Sequence, residues 1–358
     1  MVTSRSSRSS RPRDARRTRG TRRTARAWRA ARTARTGCSA AAASLLAAAL
    51  AVALAAGCTS SGEPSTHDDS RSASQHPRPS GTSPTAVAGS VLAVKIDNAP
   101  DARPQTGLDS ADVVYAEQVE GGLSRLMAVY ATSLPKAVGP VRSARESDLE
   151  LLRQFEQPVL AFSGAQGKLL PLIDRAPLDA VTPEKASGAY YRGTDQAAPH
   201  NLYLRPGRLL PSAPGAAALT TGFRYGAAPA GGRAETSYTV RYPAARFTFA
   251  WSGSRARWLL STDGTPTVTS DGQRVAPATV VVQYVKVRAS GFHDFLGNNT
   301  PYTETVGAGK AEVLRDGRVF DVNWRRPTAT DGTDFTAADG TPVGFARGQV
   351  WVVLATAP

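Results

Sequence analysis

Two arginines, Arg142 and Arg145, lie at the predicted start of a helix in the stretch Gly139–Glu146. Ser143 and the glutamate three residues later have the form of a capping box, which predicts a helix that opens at Ser143 and runs to about Gln157. A positive charge at that end opposes the helix dipole, at a cost of roughly 0.3–1 kcal/mol each. Helix stability therefore does not explain the arginines. They pair with buried carboxylates, or they bind an anion, and the sequence leaves both alternatives open.

A second group of polar residues follows the apolar run Val91–Ile96, which is typical of a buried strand. Asp97 and Asn98 come directly after it, and Arg103 and Gln105 follow within a few residues. Polar groups at the carboxyl end of a buried strand are favoured ligand positions in α/β sheets. Aspartate and asparagine are also common in turns, so a purely structural role is an equal alternative.

A predicted hairpin supplies further charged residues. Two β-rich runs are joined by Gly121-Gly122, which favours a two-residue loop. This register sets Glu120 opposite Leu123 and Gln118 opposite Arg125, and it brings Glu120 and Arg125 onto one face. The simpler alternative is a surface ion pair worth under about 1 kcal/mol.

Acid–base candidates are few. His200, next to Asn201 in a predicted loop, is the best of them, although a single histidine is more often structural. Ser163 lies between a predicted strand and a predicted helix, but the G-x-S-x-G motif of a nucleophile elbow is absent. His293-Asp294 is the one pair in the last third of the chain that could do chemistry. We predict no metal site and no cofactor.

Charge is distributed very unevenly along the 358 residues. The net charge is +14, but residues 1–37 hold thirteen arginines against one aspartate, which leaves +2 for the remainder. A nucleic-acid-binding protein should keep its positive charge in the folded part. We therefore predict no nucleic-acid partner.

The basic segment precedes an apolar run, Ala40–Ala56, as in a secretory signal. The run ends in Ala-Ala-Gly followed by Cys58, and this resembles the lipobox of bacterial lipoproteins, which implies cleavage before Cys58 and lipid on its thiol. An uncleaved signal anchor is the alternative, and export by the Sec or the Tat route stays open. With Cys38 removed, the folded part has no free cysteine, which excludes disulfides and thiol nucleophiles. A lipid on Cys58 would anchor the chain to the outer face of the cytoplasmic membrane.

Composition divides the rest of the chain. Residues 1–57 are the predicted signal peptide, and the polar residues 58–88 are a predicted disordered tether. Residues 89–215 alternate buried strands and helices, 216–236 are a Pro/Gly-rich connection, and 237–358 carry β-rich runs separated by Asp-Gly turns. The predicted fold class is α+β: an N-terminal α/β sandwich-type domain followed by a mainly antiparallel β domain.

A set of short motifs lies along the folded part of the chain. The motifs are Lys95–Asn98, Arg103–Gln105, Ala111–Tyr115, Glu120–Gly122, Arg125, Gly139–Arg145, Pro199–Tyr203, Gly307–Gly309, Asp316-Gly317, Trp324, Asp339-Gly340 and Gly348–Trp351. Together they resemble the YerB-like bacterial lipoprotein family. The resemblance covers about Ser90–Pro358, and it departs from the family pattern where Ala116 precedes Glu117. It implies a cell-envelope lipoprotein with an α/β domain and a β domain, and it brings no established activity.

The leading hypothesis is an extracytoplasmic, membrane-anchored binding or accessory protein with an arginine-lined anion site, whose partner is a cell-wall polymer or a wall-synthesis protein. The alternative is a hydrolase or transferase on such a polymer, in which His200 or Glu120 is the acid–base group and Asp97 its partner. A third hypothesis makes the charges purely structural. The predicted ligand-binding residues are Asp97, Asn98, Arg103, Gln105, Glu120, Arg125, Arg142, Arg145, His200 and Asn201.

Overall fold

The computed structural model describes residues 89–294 and 296–357. The predicted signal peptide, Cys58 and the tether lie outside these residues. The helices are α1 Glu146–Leu152 and α2 Leu170–Arg175. The strands before residue 220 are β1 Leu92–Asp97, β2 Val113–Gln118, β3 Ser124–Tyr130, β4 Val159–Ala161, β5 Asp179–Val181, β6 Tyr190–Arg192 and β7 Leu202–Leu204.

The later strands are two to nine residues long. They are β8 Arg224–Tyr225, β9 Arg233–Ala234, β10 Ser237–Tyr242, β11 Ala245–Ser252, β12 Arg257–Thr262, β13 Thr265–Pro266, β14 Thr279–Tyr284, β15 Val287–His293, β16 Asn299–Thr303, β17 Gly307–Arg315, β18 Arg318–Arg326, β19 Asp334–Thr336, β20 Gly344–Phe345 and β21 Val350–Ala355.

One mixed sheet of eleven strands runs through the molecule. Its order is β19-β18-β17-β14-β21-β2-β3-β1-β4-β5, and β9 pairs with β18. The strand β21 lies between β2 and β14 and is parallel to both. Strands from both predicted domains therefore share this sheet, and the domain boundaries themselves stay a prediction.

The sheet is covered on both faces. Alternate residues of β1, β2, β3, β14 and β21 pack on one side against the antiparallel sheet β10–β13, where Phe247, Phe249 and Trp258 are fully buried. The other residues pack against α1 and α2. Double coverage explains why β1, β14 and β21 are buried almost throughout and read as continuous apolar runs. The described residues thus form a mainly β fold, and the finer expectation of an N-terminal α/β sandwich stays a prediction.

The helix predicted from Ser143 to about Gln157 is shorter, because α1 begins at Glu146 and ends at Leu152. Arg145 is extended and precedes the first turn, and its backbone N–H donates to the Asp148 carboxylate at 2.7 Å. The capping partner is therefore three residues after Arg145, and the whole box lies two residues later than predicted. In the described residues no helix is long and apolar enough to cross a membrane.

The predicted hairpin register is wrong by one residue. Glu117, not Gln118, lies opposite Arg125, and Gln118 pairs with Ser124. The loop is longer than two residues because a 3-10 turn, Glu120–Gly122, separates the strands. Glu120 therefore leaves the ladder and its carboxylate is free to reach other elements.

Candidate functional site

The segment Gly139–Arg145 is held by strands on both sides. The Arg142 N–H donates to the Lys95 carbonyl on β1 at 2.8 Å, and the Val141 N–H donates to the Leu202 carbonyl on β7 at 2.6 Å. These bonds fix the backbone beside the carboxyl end of β1. The side chain of Arg142 is thereby placed next to the last residue of that strand.

Charged side chains form a row across the sheet at this end. Asp97 on β1 lies opposite Arg125 on β3, and Arg125 lies opposite Glu117 on β2. Directly opposed residues share a face, and residues two apart along a strand share it too, so Lys95 is on this side as well. It is the face that α1 covers, which brings the row to the beginning of that helix.

Glu120 and Arg145 form a two-pronged ion pair. Arg145 Nε lies 2.7 Å from Oε1 and Nη2 lies 2.7 Å from Oε2. Thr300 on β16 donates to the same carboxylate at 2.6 Å, and Arg125 Nη1 is 4.0 Å away. Burial opposes ionisation of Glu120, but the hydrogen bonds and the charge of Arg145 outweigh it and lower its pKa. Of the two alternatives for Arg145, pairing with a carboxylate is the one that this geometry realises.

Arg142 is held differently. Its Nε lies 3.0 Å from Asp97 Oδ2, but the N–H is not directed at that oxygen. The two terminal nitrogens of its guanidinium make no hydrogen bond to any residue that the structure describes. The same Asp97 oxygen lies 2.9 Å from His200 Nδ1. Asp97 therefore serves two partners, while the forked end of Arg142 keeps its hydrogen-bonding capacity.

The three arginines line one cleft of about 590 Å³, which we call the arginine cleft. It is bounded by the β2–β3 loop, the Gly139–Arg145 segment and the tip of the β15–β16 hairpin, where His293 and Asp294 lie. Its charged lining residues are Arg125, Arg142, Arg145, Glu120, Glu146 and Asp294. The formal charges balance, so the cleft is of mixed sign and not a simple basic patch.

Two side chains of the arginine cleft are electrostatically perturbed. Burial, and then repulsion from Arg145 and Arg142, lowers the pKa of Arg125 to about 10 against the attraction of nearby carboxylates. Burial also raises the pKa of Glu146, although Arg288 opposes this. Glu146 Oε2 is buried and has no hydrogen-bond partner among the described residues.

Three other predicted ligand residues hold the loop after β1 in place. Gln105 donates to the Asn98 side-chain oxygen at 2.8 Å, and Asn98 donates to the Ser124 hydroxyl at 2.8 Å. Arg103 donates to the Asn98 carbonyl at 2.6 Å and pairs with Asp263 at 2.8 Å. None of Asn98, Arg103 and Gln105 lines the arginine cleft, and their bonds are internal to the protein.

Asn201 closes the turn between β6 and β7. It accepts a hydrogen bond from Arg192 at 2.7 Å and donates to the Gly193 carbonyl at 3.1 Å. Ser163 lies after β4, with its hydroxyl 3.4 Å from that of Ser143. Neither residue contacts a group that would activate it, so both are described best as supports of the loops around Arg142.

Sequence reasoning missed a buried ionic network beneath the arginine cleft. Lys95 is completely buried and pairs with Glu117 and with Asp148, the latter at 2.7 Å, and Ser147 donates to Glu117 at 3.1 Å. Burial raises the pKa of Glu117, and Lys95 opposes the shift. The signal was a lysine within an otherwise apolar strand. No cluster of three metal-ligating side chains occurs within 89–294 and 296–357.

Comparison with known proteins adds relatives to this geometry. Residues 80–219 match the protein of unknown function (DUF3048) N-terminal domain, and residues 238–352 match the DUF3048 C-terminal domain. The chain is 25% identical over 280 residues to "Putative lipoprotein YerB" of Bacillus subtilis, which covers 73% of this chain and 80% of that protein. The crystal structure of YerB protein from Bacillus subtilis has the same fold, with a TM-score of 0.61 and 21% identity over 76% of this chain and 93% of that one. The resemblance found in the sequence motifs is confirmed, and this chain belongs to the YerB-like family of proteins of unknown function that carry the DUF3048 N- and C-terminal domains.

Proposed function

We propose that this protein is an extracytoplasmic lipoprotein of the cell envelope that binds an anionic ligand in the arginine cleft. The lipid on Cys58 would hold it at the outer face of the cytoplasmic membrane. Support for the anchor comes from the lipobox-like sequence before Cys58 and from the name of the Bacillus subtilis relative. The ligand would be part of a cell-wall polymer or of a wall-synthesis protein.

The observation that carries the binding role is the free guanidinium fork of Arg142. A planar guanidinium donates two parallel hydrogen bonds to a carboxylate or a phosphate, which makes arginine the preferred residue for such groups. Arg145 is already satisfied by Glu120, whereas Arg142 lines the cleft and its terminal nitrogens have no acceptor among the described residues. Arg142 is therefore the primary anion contact in this proposal.

Electrostatics favours the same role. The mutual repulsion of Arg125, Arg142 and Arg145 contributes to the lowered pKa of Arg125. An anion bound at Arg142 would reduce that repulsion, because a negative charge near several guanidinium groups stabilises their charged forms. Binding should therefore rigidify and stabilise the folded protein as well as satisfy Arg142.

A catalytic role is the second candidate, and one contact favours it. The Asp97 carboxylate orients His200 through Nδ1, as a general base is oriented by an acidic partner. A hydrolase or transferase would use Nε2 of His200 on a ligand held by Arg142. Time-resolved product analysis of any ligand that binds, with parent and His200→Gln, separates the two roles: turnover that depends on His200 supports catalysis.

The test is ligand-induced stabilisation of the purified protein by phosphorylated and carboxylated wall precursors. A ligand at one hundred times its Kd adds about 2.7 kcal/mol to the free energy of unfolding. We expect that gain in the parent and in Arg241→Gln, an exposed control on β10, and no gain in Arg142→Gln. The fold of Arg142→Gln should lose about 1 kcal/mol or less, because a partly exposed ion pair is worth little.

Two results would overturn the proposal. The first is the absence of stabilisation by every precursor, combined with a large loss of stability in Arg142→Gln, which would make this arginine an internal ion-pair partner. The second is equal stabilisation of parent, Arg142→Gln and Arg241→Gln, which would place the binding elsewhere.

A further inference from the structure

A second cleft adjoins the arginine cleft at Arg142 and Ser143. It has a volume of about 480 Å³, and Arg142 and Ser143 line both this cleft and the arginine cleft. We call it the serine cleft, because Ser143, Ser163 and Ser187 lie along it. Each cleft alone is within the size range of small-molecule sites, about 300–1,000 Å³. A ligand on Arg142 therefore has room to extend in two directions.

The arginine cleft requires more than an anion. Glu146 Oε2 is a buried acceptor without a partner among the described residues, and the partly exposed side chain of Arg142 keeps terminal donors without one. An unpaired buried acceptor is unfavourable, so a ligand that donates to Glu146 while its anion accepts from Arg142 is favoured. Such a ligand carries an anionic group and, beside it, a hydroxyl or another hydrogen-bond donor.

The serine cleft also favours a hydroxylated ligand. The ring of Tyr191 stacks on Tyr203 at a centroid distance of 5.5 Å, and the guanidinium of Arg205 lies 4.0 Å from the centre of the same ring. Tyr191 is therefore already engaged by protein groups. Recognition in the serine cleft rests on the hydroxyl groups and on the Glu184 carboxylate, which are partners for sugar or polyol hydroxyls.

We propose that the two clefts form one groove for a hydroxylated polymer with spaced anionic groups, with one anion on Arg142 and hydroxylated units on both sides. This inference rests on the proposed anion site and specifies its ligand class. The balanced charges of the arginine cleft disfavour a densely charged polyanion. A uronic-acid glycan and a polyol phosphate share the required chemistry, and the probes below distinguish them.

The experiment measures Kd by calorimetry for four probes, which are galacturonic acid, its tetramer, glycerol 1-phosphate and a four-unit glycerol phosphate oligomer. The zwitterionic dipeptide Ala-Ala is measured beside them as a comparison without hydroxyl groups. In the parent, we expect one of the tetramers to bind about tenfold or more tighter than its monomer, beyond the statistical gain from four equivalent units. Whichever series shows this gain identifies the type of polymer.

Three variants locate the contacts. Arg142→Gln should remove binding of monomer and tetramer alike. Glu146→Ala should weaken both, with exposed Glu156→Ala as its control. Ser187→Trp fills the serine cleft from its exposed wall and should reduce the tetramer to monomer affinity, whereas Ser254→Trp on the β11–β12 turn should not.

The outcomes separate the two proposals. Monomer binding that depends on Arg142, with no gain for either tetramer or no effect of Ser187→Trp, overturns the groove and leaves the anion site intact. If no probe binds, or if the Kd is the same in the parent and in Arg142→Gln, the anion site and the groove are both overturned. Tighter binding of the zwitterionic dipeptide Ala-Ala than of either tetramer overturns the assignment to a hydroxylated polymer.

Discussion

Replacing Lys95 by methionine should destabilise the folded protein, because it breaks the buried ionic network. Methionine is close to lysine in length and removes the charge, so Glu117 and Asp148 lose the ammonium group between them. All three side chains are almost completely inaccessible to water. Removing one partner of a buried ion pair costs about 3–5 kcal/mol, because the remaining charge is uncompensated.

The size of the loss should depend on pH in a defined direction. Glu117 has a raised pKa in the folded protein, and without Lys95 it should rise further and bind a proton at neutral pH. At about 1.36 kcal/mol per pH unit, protonating a carboxyl of ordinary pKa 4.5 costs about 3.4 kcal/mol at pH 7 and about 0.7 kcal/mol at pH 5. Because the folded state holds the extra proton, stability of the variant falls as pH rises above 4.5.

Urea unfolding of parent and Lys95→Met at pH 5 and pH 7 measures this effect. We expect the loss to be smaller at pH 5 than at pH 7, by at most about 2.7 kcal/mol, because the raised pKa of Glu117 already gives the parent part of the same pH dependence. The double variant with Glu117→Gln should lose most of that pH dependence. Lys185→Met is the matched control, since Lys185 forms an exposed pair with Asp174 and should cost under about 1 kcal/mol. An equal loss at both pH values would refute the reasoning.

Three further predictions concern the supports of the site. Arg145→Gln should cost about 1–3 kcal/mol at pH 7 in urea unfolding and less at pH 3, because the lowered pKa of Glu120 gives stability above pH 4.5 that is lost as pH falls through the folded value. An equal cost at both pH values would contradict this prediction. Arg326→Lys should lower the free energy of unfolding by about 2–4 kcal/mol in urea unfolding, because the guanidinium donates to the Glu150, Ala329 and Asp331 carbonyls and an ammonium group cannot span them. A loss under about 0.5 kcal/mol would count against this prediction. Gly139→Ala should lower the free energy of unfolding by about 2 kcal/mol in thermal unfolding and weaken anion binding, because the new Cβ would lie 2.7 Å from the Tyr203 ring. Unchanged stability and affinity would show that the segment Gly139–Arg145 accommodates the extra methyl group.

Local pattern was sufficient for many elements of the fold. The apolar run Val91–Ile96, predicted as a buried strand, forms most of β1, and the helix predicted after Ser163 is α2. The β-rich stretch Thr279–Arg288 is divided between β14 and β15, because the chain leaves the central sheet after Tyr284. Periodicity recognises a strand but not the point at which it changes sheets.

The sequence indicated which residues belong to the site better than it indicated how their side chains contact one another. The charge of Arg145 at the start of α1 indicated either a carboxylate partner or an anion. The carboxylate partner is Glu120, which lies in the loop between β2 and β3 and also accepts a hydrogen bond from Thr300, 180 positions after Glu120. A Gly-Gly pair suggested a tight turn, and the 3-10 turn that formed moved the register by one. Distances between remote segments depend on tertiary packing, which the spacing of residues along the chain does not contain.

Because β21 lies in the middle of the central sheet, the sheet cannot be completed until the end of this sequence has been synthesised or exported. This last strand lies between β2 and β14, so Val113 and Thr279 both find their pairing partner in Val350. The halves of the central sheet have no direct ladder between them within the described residues. A chain that emerges from its amino end, whether from a ribosome or through a membrane, exposes two unfinished sheet edges until residues 350–355 arrive. Loss of residues 350–355 would separate the two halves of the central sheet. The exposed edges of β2 and β14 are then the places where chaperones or aggregation partners would bind first.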